Sequence, residues 1–583
     1  MLHFAQTCDA IAATSKKLEK TALVANYLRS LLRTMPLHAM PQSEAAAAAI
    51  FLSGRPFPTY EEATLQVGGA LLWRVISELS GRSEHELTEI YRRHGDAGSV
   101  AAEALPEKPR SNLTLTEVQR AFPEIAAARG PAAKAALLRQ LLVQATPLEA
   151  KYIVKIISGD LRIGLKENLV EEAIAHAFEV PLDHVKRANM LLGDIGETLR
   201  LASAGKLADA QLRLFHPIDV MLASPVESSE EVLSYFQNAS VEDKYDGIRA
   251  QAHISHGEVR TFSRTRDEIT ESFPELPLAL AGLPQDAILD GEIIAWKAEG
   301  GSPIAGRALP FSTLQQRLGR KKVSAELMHD IPVAYLVFDI LYANGELLLD
   351  RPLHERARIL DILLNDLATA SRVAVVHQVQ AQSSLCFDEV EGPGENSLAP
   401  VLRAPVATAN SAEDIETLFT AARDRGNEGL MIKDLNSLYT PGRRGKSWLK
   451  MKRKLATLDV VVTAVEYGHG KRIGVLSDYT FAVWGGERLV NIGKAYSGLT
   501  DAEIAEMTQW FLAHKIREQG LRVEVEPKIV LEVAFNNMMR SARHESGYAL
   551  RFPRIVRLRR DKRPEDADTI GTVKEIFERQ HSV

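Results

Sequence analysis

The chain has 583 residues, of which 45% are hydrophobic and 25% are charged, and its formal net charge is -6. This length and composition predict a soluble globular protein of roughly three to four domains. No run of about 18 apolar residues is present, so the sequence predicts no membrane-spanning helix. The mild negative charge argues against a general nucleic-acid coat protein.

The start of the chain and the cysteines bear on the compartment. The first twenty residues lack a basic stretch followed by an apolar one, so we expect no secretory signal. The two cysteines, Cys8 and Cys386, are far apart. They cannot form a four-cysteine zinc site, and a disulfide framework is not expected. These features predict a cytoplasmic protein.

Residues 1–215 predict an all-helical domain. Stretches such as "EVQRAFPEIAAARG" and "ENLVEEAIAHAFEV" repeat apolar residues at helical spacing and stop at Gly or Pro. A proline-punctuated connection, 216–228, follows and marks a domain boundary.

From about residue 230 the pattern changes to short β-rich runs between turns and helices, which predicts an α+β domain over 216–454. Within it, the Pro- and Gly-rich segment 386–406 predicts a surface loop. Residues 455–583 predict a small barrel with the hairpin "YTFAVW-GG-ERLVNIG" and one helix, "DAEIAEMTQWFLAHKIREQG".

Two segments concentrate positive charge. Residues 433–454 hold eight Lys and Arg against one acid, and residues 540–563 hold nine against two. Basic segments on a mildly acidic protein indicate a localised site for a polyanion, although a solvated basic face is an alternative.

The segment "VEDKYDGIR" (241–249) places one lysine, Lys244, before a predicted strand and among three acidic residues. A lysine amine is protonated at neutral pH, and acidic neighbours favour that form. On an extended strand, however, Asp243 points away from Lys244. Taken alone, the segment is compatible with a chance tetrapeptide or with a nucleophile that other groups deprotonate.

The segment "ILDGEIIAW" carries Asp290 and Glu292 on one face of a predicted strand. Carboxylates in an apolar strand are unfavourable unless they are paired or bind a metal, and hard oxygen ligands favour Mg²⁺. From this segment alone, a metal site and a structural salt bridge both stay open. Phe338 in "VFDILY" is likewise either core or a platform for a base.

The order of these pieces resembles the motifs of the covalent nucleotidyltransferases. Six segments carry the resemblance: KxDGxR (244–249), "FSR" (262–264), "DGE" (290–292), "VFDILY" (337–342), "EGLMIK" (428–433) and "WLKMK" (448–452). The "RRDK" of 559–562 looks like the RxDK element of the C-terminal barrel in these enzymes.

Four further stretches make the resemblance closest to ATP-dependent DNA ligases of the archaeal and eukaryotic replicative type: 151–170, "MLAS" (221–224), 311–321 and 551–569. This resemblance implies a helical DNA-binding domain (1–215), an α+β adenylation domain (216–454) and an OB-fold barrel (455–583). It implies nick sealing in replication, repair and recombination, through enzyme-lysyl-AMP and DNA-adenylate intermediates.

The resemblance also implies roles for individual residues. Lys244 is the expected nucleophile and carries the AMP. The other expected ATP-binding residues are Glu242, Arg249, Arg264, Glu292, Phe338, Lys433, Arg444 and Lys450. Glu292 and Glu428 are the expected metal and ribose ligands, with Lys452 near the phosphates and Arg559 and Lys562 orienting pyrophosphate.

The implied co-substrate is ATP, the implied cofactor is Mg²⁺, and the implied partner is nicked duplex DNA. We expect a monomer with no membrane association; a sliding clamp is a candidate partner for which the sequence shows no motif. The alternatives are an mRNA capping enzyme or RNA ligase, disfavoured by the long helical region, and an NAD-dependent ligase, disfavoured by the cysteine count. A non-catalytic DNA-binding scaffold is disfavoured because every expected catalytic residue is present.

Overall fold

The structure is a computed structural model that describes residues 1–34, 44–61, 63–236, 239–299, 302–318, 320, 323–382, 399–452, 457–469 and 472–581. Its internal contacts divide the chain into two compact units. The first comprises Met1–Asn189, Asp194–Asp209 and the described residues from 457 onward; the second comprises Met190–Gly193 and the described residues from Ala210 to Lys452.

The amino-terminal part of the first unit is helical, as predicted. Its helices are α1 (Leu2–Ala12), α2 (Lys17–Thr34), α3 (Glu44–Leu52), α4 (Gly69–Ser80), α5 (Glu84–His94), α6 (Ala97–Ala104), α7 (Leu115–Ala127), α8 (Pro131–Gln144), α9 (Pro147–Ile157), α10 (Glu167–Phe178), α11 (Leu182–Leu192) and α12 (Ile195–Ser203). Capping boxes at Ser83, Thr114 and Thr146 satisfy backbone donors where α5, α7 and α9 begin.

Helix α3 lies at the centre of this helical region, with eight of its nine residues buried. Phe51 on α3 makes edge contacts with Phe4 and Phe122, at centroid distances of 6.2 and 5.5 Å. Gly196 lets α12 approach closely, because a Cβ at that position would lie 3.0 Å from the Cβ of Ala46.

The second unit is an α+β structure with one five-stranded and one seven-stranded sheet. Its strands are β1 (Leu222–Val226), β2 (Ala239–Asp243), β3 (Ile248–Ser255), β4 (Glu258–Ser263), β5 (Ala287–Glu299), β6 (Ser302–Ala308), β7 (Val333–Ala343), β8 (Glu346–Leu347), β9 (Val401–Arg403), β10 (Val406–Ala409), β11 (Leu430–Asp434) and β12 (Arg444–Met451). Its helices are α13 (Ser229–Leu233), α14 (Glu275–Leu280), α15 (Phe311–Leu314), α16 (Ala325–Asp330), α17 (Leu353–Gln382) and α18 (Ala412–Asp424).

The order of the strands determines where the candidate site lies. One sheet has the order β1-β12-β11-β2-β10, and the other has β4-β3-β5-β7-β8 with β6 beside β5 and β9 beside β7. The segment with Lys244 connects β2 of the first sheet to β3 of the second. Gly247 is required at this crossing, because a Cβ there would collide with the carbonyl oxygen of Ile293.

The remainder of the first unit is rich in strands. Its elements are β13 (Thr457–Tyr467), β14 (Leu476–Trp484), β15 (Leu489–Ala495), α19 (Asp501–Ala513), β16 (Lys515–Gln519), β17 (Arg522–Val525), β18 (Val530–Ala534), β19 (Asn537–Arg540), β20 (Tyr548–Arg551), β21 (Arg554–Leu558) and α20 (Ile570–His581). Strand β13 pairs with β14, β17 and β18 around an apolar core. The predicted strand-rich architecture and the β14–β15 hairpin are confirmed.

Two details of the prediction are wrong. The helix predicted to run through "AHKIREQG" ends at Ala513, and Lys515–Gln519 form β16, which pairs with β17. A second helix, α20, follows the strands where only one helix is predicted. Residues 386–398 of the predicted loop 386–406, which include Cys386, lie outside the described residues. In the described remainder of that loop, Val401–Arg403 form strand β9.

Within the described residues, no helix is both long and apolar enough to cross a membrane.

Candidate active site

Lys244 lies at the end of β2, where its backbone is paired with the turn before β11. Its amide donates to the carbonyl of Gly429 (2.8 Å), and its carbonyl accepts from the amide of Glu428 (2.9 Å). The Lys244 Nζ donates to Glu428 Oε2 at 2.5 Å. Two segments far apart in sequence therefore place this ammonium against one carboxylate.

The acid that precedes Lys244 points elsewhere, as the strand geometry predicts. Arg425 donates two hydrogen bonds to Asp243, from Nε to Oδ2 and from Nη2 to Oδ1, both 2.8 Å. The side-chain amide of Asn427 donates a third, also 2.8 Å. The charge of Asp243 is therefore compensated by groups other than Lys244.

Glu428 binds a second lysine as well. Lys452, just after β12, forms an ion pair with Glu428 Oε2. Burial alone raises the pKa of Glu428, but the charges of Lys244 and Lys452 outweigh it and hold that pKa below its ordinary value. Burial and the charge of Lys244 lower the pKa of Lys452. The site thus holds two cations on one ionised carboxylate.

Arg249 on β3 is fixed by a buried network. Its Nε and Nη2 donate to Asp290 Oδ1 and Oδ2 at 3.0 and 2.7 Å, and its Nη1 donates to the carbonyl of Met221 at 2.7 Å. The hydroxyl of Tyr439 donates to Asp290 Oδ2 (2.7 Å) and accepts from the amide of Met221 (3.0 Å). Asp290 is fully buried, so of the two interpretations of this acid the structural salt bridge is correct.

Glu292, two residues along β5, has a different environment. It lies opposite Arg249 in the β3–β5 register. Burial raises the pKa of Glu292 to about 7, although the charges of Lys244 and Arg249 act in the opposite direction. This carboxylate lies near the same lysine as Glu428 and lacks the paired guanidinium that Asp290 has.

An aromatic surface adjoins these charges. Phe338 on β7 lies 6.1 Å from the ring of Trp448, edge to face. The Nζ of Lys433 lies 4.4 Å from the Phe338 ring centre and 4.5 Å from that of Trp448, and donates to Glu242 Oε2 at 2.6 Å. Burial lowers the pKa of Lys433, while Glu242 opposes that shift. The predicted cation Lys433 therefore lies beneath the aromatic surface and is paired with Glu242.

Four cations that the sequence assigns to the site lie around Lys450 on β12. Burial lowers the pKa of Lys450, and the nearby charges of Arg444, Lys452, Lys244 and Arg264 lower it further. Arg444 and Arg264 are exposed. Cations this close repel one another unless an anion lies among them, so the arrangement suits a phosphate group.

Arg559 and Lys562 lie in the other unit, at the end of β21. Arg559 Nη1 donates to both oxygens of Asp459, at 2.9 and 3.0 Å, and Lys562 Nζ donates to Asp459 Oδ2 at 2.6 Å. The sequence did not single out Asp459, yet an acid within the apolar run "TLDVVV" carries the same signal as Asp290. Tyr439, Arg425 and Asn427 have no comparable signal in the sequence.

The two carboxylates near Lys244 are compatible with a divalent metal ion that takes its remaining ligands from water and substrate. Within the described part of the chain, no group of three or more His, Cys, Asp or Glu side chains is placed to hold a metal ion. Glu292 and Glu428 offer two carboxylates near Lys244. Mg²⁺ is usually held by one or two carboxylates together with waters and substrate phosphates, so these residues fit it.

Comparison with protein families covers most of the chain. Residues 220–452 match the family described as ATP dependent DNA ligase domain, residues 1–175 match DNA ligase N terminus, and residues 472–562 match ATP dependent DNA ligase C terminal region.

Two relatives match this chain along nearly their whole length. A protein named Probable DNA ligase from Koribacter versatilis is 59% identical over 584 residues, which cover 100% of this chain and 97% of the relative. A DNA ligase from Archaeoglobus fulgidus is 33% identical over 597 residues, covering 100% and 99%. The solved structure Pmar-Lig_PreS3 shares the fold, with a TM-score of 0.58 at 14% identity, covering 95% of this chain and 99% of that one. The chain belongs to the family of ATP-dependent DNA ligases.

Proposed function

We propose that this ligase seals nicks in duplex DNA with Lys244 as the residue that carries AMP. The observation that carries the proposal is the position of Lys244: its Nζ contacts Glu428, which also binds Lys452, while the adjacent Asp243 is held by Arg425. An amine surrounded in this way is well placed to attack a phosphate that the neighbouring cations bind.

In the first step the ammonium of Lys244 gives up one proton to Glu428, which it contacts, or to water, and the neutral amine attacks the α-phosphorus of ATP. A P–N bond forms, the bond from the α-phosphorus to the bridging oxygen breaks, and pyrophosphate leaves with that electron pair. The attacking nitrogen releases its additional proton to water. Because phosphoryl transfer depends mainly on positioning and electrostatic stabilisation, the cations around Lys450 supply most of what the chain itself contributes.

The nucleoside is held by the other residues of the site. Phe338 stacks on the adenine, and Glu242 lies at the edge of that base. Lys433, which lies against the Phe338 ring, holds the Glu242 carboxylate in place through their ion pair. Arg249 and Glu292 bind the ribose. Arg249 needs little reorganisation to do so, because Asp290 already orients it.

The phosphates are bound by the cations at and around Lys450, namely Arg264, Arg444, Lys450 and Lys452, whereas the buried Lys433, expected among the ATP-binding residues, acts on the nucleoside through Glu242. Glu292 and Glu428 would hold Mg²⁺, which when bound supplies further positive charge to the phosphate oxygens. Arg559 and Lys562 serve the pyrophosphate during the first step.

The next two steps transfer AMP to DNA and join the strands. An oxygen of the 5′-phosphate attacks the AMP phosphorus, the P–N bond breaks, and Lys244 regains a proton. The 3′-hydroxyl then attacks the 5′-phosphate, loses its proton, and displaces AMP. DNA backbone contacts would make binding independent of sequence and sensitive to salt.

The proposal extends to the organisation of the protein. We propose domains at 1–215, 216–454 and 455–583 and a monomeric state. We also propose a cytoplasmic location, with which the presence of only two cysteines accords. A sliding clamp is a candidate partner. Size-exclusion chromatography with light scattering tests the monomer, since a mass of two chains would contradict it.

The experiment that tests the function is labelling with α-³²P ATP or GTP, or adenylate-labelled NAD⁺, with Mg²⁺ or with EDTA, followed by a denaturing gel and a nick-sealing assay. We expect an acid-labile adduct with ATP and Mg²⁺ that Lys244→Ala abolishes. Lys494→Ala is the matched control, because Lys494 is an exposed lysine paired with Glu466 and Asp478. An adduct formed only with GTP, or one undiminished in Lys244→Ala, would overturn the proposal.

A further inference from the structure

Arg559 and Lys562 converge on one carboxylate of the strand-rich region. Both oxygens of Asp459 accept from Arg559 Nη1, and Oδ2 also accepts from Lys562 Nζ. Two cations held this close repel each other, and the shared carboxylate offsets that repulsion. Asp459 therefore sets the separation between the two side chains.

Asp459 itself is rigidly placed. It lies in β13 opposite Glu532 of β18. Its amide donates to Asp568 Oδ2, and its carbonyl accepts from the amide of Asp568, both at 2.8 Å. The Asp459 side chain is 12% exposed. Because the backbone amide and carbonyl of Asp459 are both hydrogen-bonded, its carboxylate is held in a fixed position for the cations that bind it.

The other edge of the Arg559 guanidinium, formed by Nε and Nη2, pairs with an exposed carboxylate that another anion can replace. Its Nε and Nη2 donate to Asp561 Oδ1 and Oδ2 at 2.9 and 2.7 Å, and Asp561 is 63% exposed. This edge of a guanidinium is the planar fork that binds two phosphate oxygens equally well. An arriving phosphate can therefore displace the exposed Asp561, while Asp459 keeps hold of Nη1.

We propose that Asp459 is a positioning residue for enzyme adenylation, which holds Arg559 and Lys562 ready for the pyrophosphate of ATP. The inference rests on the proposed function of these two cations. During this step the P–N bond to Lys244 forms and the bond to the bridging oxygen breaks, so negative charge builds on the departing pyrophosphate. Donors whose positions relative to each other are already set by Asp459 need little reorganisation when they bind that charge.

The test uses full-length Asp459→Asn and Asp459→Glu, compared with Glu532→Gln. The control removes a carboxylate on the facing strand that pairs with Arg557 at 2.7 Å and makes no hydrogen bond to Lys562. Two rates are measured for each protein: single-turnover formation of the ATP adduct, and sealing of a nick that already carries AMP. Thermal unfolding of each variant reports on the fold.

We expect Asp459→Asn to slow adenylation by about tenfold or more, since a small misplacement of a catalytic group costs up to about a hundredfold. Sealing of the pre-adenylated nick should stay within about threefold, because that reaction forms no pyrophosphate. Asp459→Glu keeps the charge and should recover part of the adenylation rate. The charge of Glu532 acts on Arg559 without a hydrogen bond to it, so Glu532→Gln should change both rates by less than about threefold.

Three outcomes would overturn the inference. Equal losses in both reactions would assign Asp459 a structural role only, and unchanged adenylation would assign it none. Faster adenylation in Asp459→Asn would mean that the carboxylate sequesters the cations. If Asp459→Asn does not fold, the same comparison is made with Asp459→Glu. Absence of an adduct in the unsubstituted protein would instead contradict the proposed function, so the two failures are distinguishable.

Discussion

Removal of one hydroxyl, in Tyr439→Phe, should destabilise the second unit. The Tyr439 hydroxyl is buried and joins Asp290 Oδ2 to the amide of Met221, with hydrogen bonds of 2.7 and 3.0 Å. Burial, followed by the charge of Asp290, raises the pKa of Tyr439 well above its ordinary value, so this hydroxyl stays protonated and donates to the carboxylate.

The expected magnitude follows from the two groups left behind. A hydrogen bond to a charged acceptor contributes about 1.5–3 kcal/mol, and a buried amide left without a partner costs about 1–3 kcal/mol. Since Phe keeps the ring that packs edge to face on Trp448, the expected loss is about 3 kcal/mol in the free energy of unfolding.

The matched control is Tyr235→Phe. The Tyr235 hydroxyl also accepts a hydrogen bond, in this case from the side chain of Lys446 (Nζ, 2.7 Å), but Tyr235 is 39% exposed. Water therefore replaces the lost contact, and the change should stay within about 0.5 kcal/mol. Urea denaturation of both variants, followed by circular dichroism, gives the comparison. Equal midpoints for Tyr439→Phe and Tyr235→Phe would refute the view that the Arg249–Asp290 network is held by this hydroxyl.

Two further predictions concern a step of the reaction and the response to acid. Arg559→Ala should slow adduct formation by about a hundredfold while sealing of a pre-adenylated nick is affected less; the reverse order of effects would remove Arg559 from the pyrophosphate. Burial lowers the pKa of His253 to about 3, so this residue stabilises the fold above the unfolded pKa near 6.5, and that contribution is lost as pH falls toward 3. The unfolding free energy should therefore drop by about 2 kcal/mol more between pH 7 and pH 5 in the unsubstituted protein than in His253→Asn. The exposed neighbour His256→Asn should show the full drop, and a full drop in His253→Asn as well would contradict the assignment.

The acid sensitivity has a clear structural origin. The Nδ1 of His253 accepts from the amide of Phe215 at 3.0 Å, and its Nε2 lies 2.8 Å from Gln251 Oε1. Protonation of Nδ1 would set two donors against each other in a fully buried position. The backbone at Phe215, near the start of the segment Ala210–Lys452 of the second unit, is therefore held by a neutral imidazole.

Local periodicity was enough to predict most elements, but pairing between distant strands decided the exceptions. The amphipathic run of α19 continues in sequence beyond Ala513, yet Lys515–Gln519 pair with β17 as a strand. Such non-local pairing outweighs helix propensity, which varies by less than about 1 kcal/mol per residue. Helix α20 did carry a readable signal, since Val573, Ile576 and Phe577 follow helical spacing and pack on the core.

The site was predictable as a set of motifs but not as a set of contacts. Asp290 and Glu292 are equivalent in the strand pattern, yet Asp290 is saturated by Arg249 and Tyr439 while burial raises the pKa of Glu292 to about 7. Likewise, the sequence places Lys433 among the expected ATP-binding residues, but it does not show that the partner of Lys433 is Glu242. Side-chain partners depend on which strands become neighbours, and a strand pattern alone does not fix that.

One electrostatic arrangement occurs in both units. Lys244 and Lys452 share Glu428, and Arg559 and Lys562 share Asp459. A single carboxylate between two cations keeps them close. Around Glu428 this leaves a net positive charge, and around Asp459 the exposed Asp561 balances the second cation until another anion replaces it. A polyphosphate carries several negative charges, so it can take over these cations without their having to be assembled first. We therefore expect the acids around Lys244 to hold the phosphate-binding cations in place until a phosphate arrives, and not to oppose its binding.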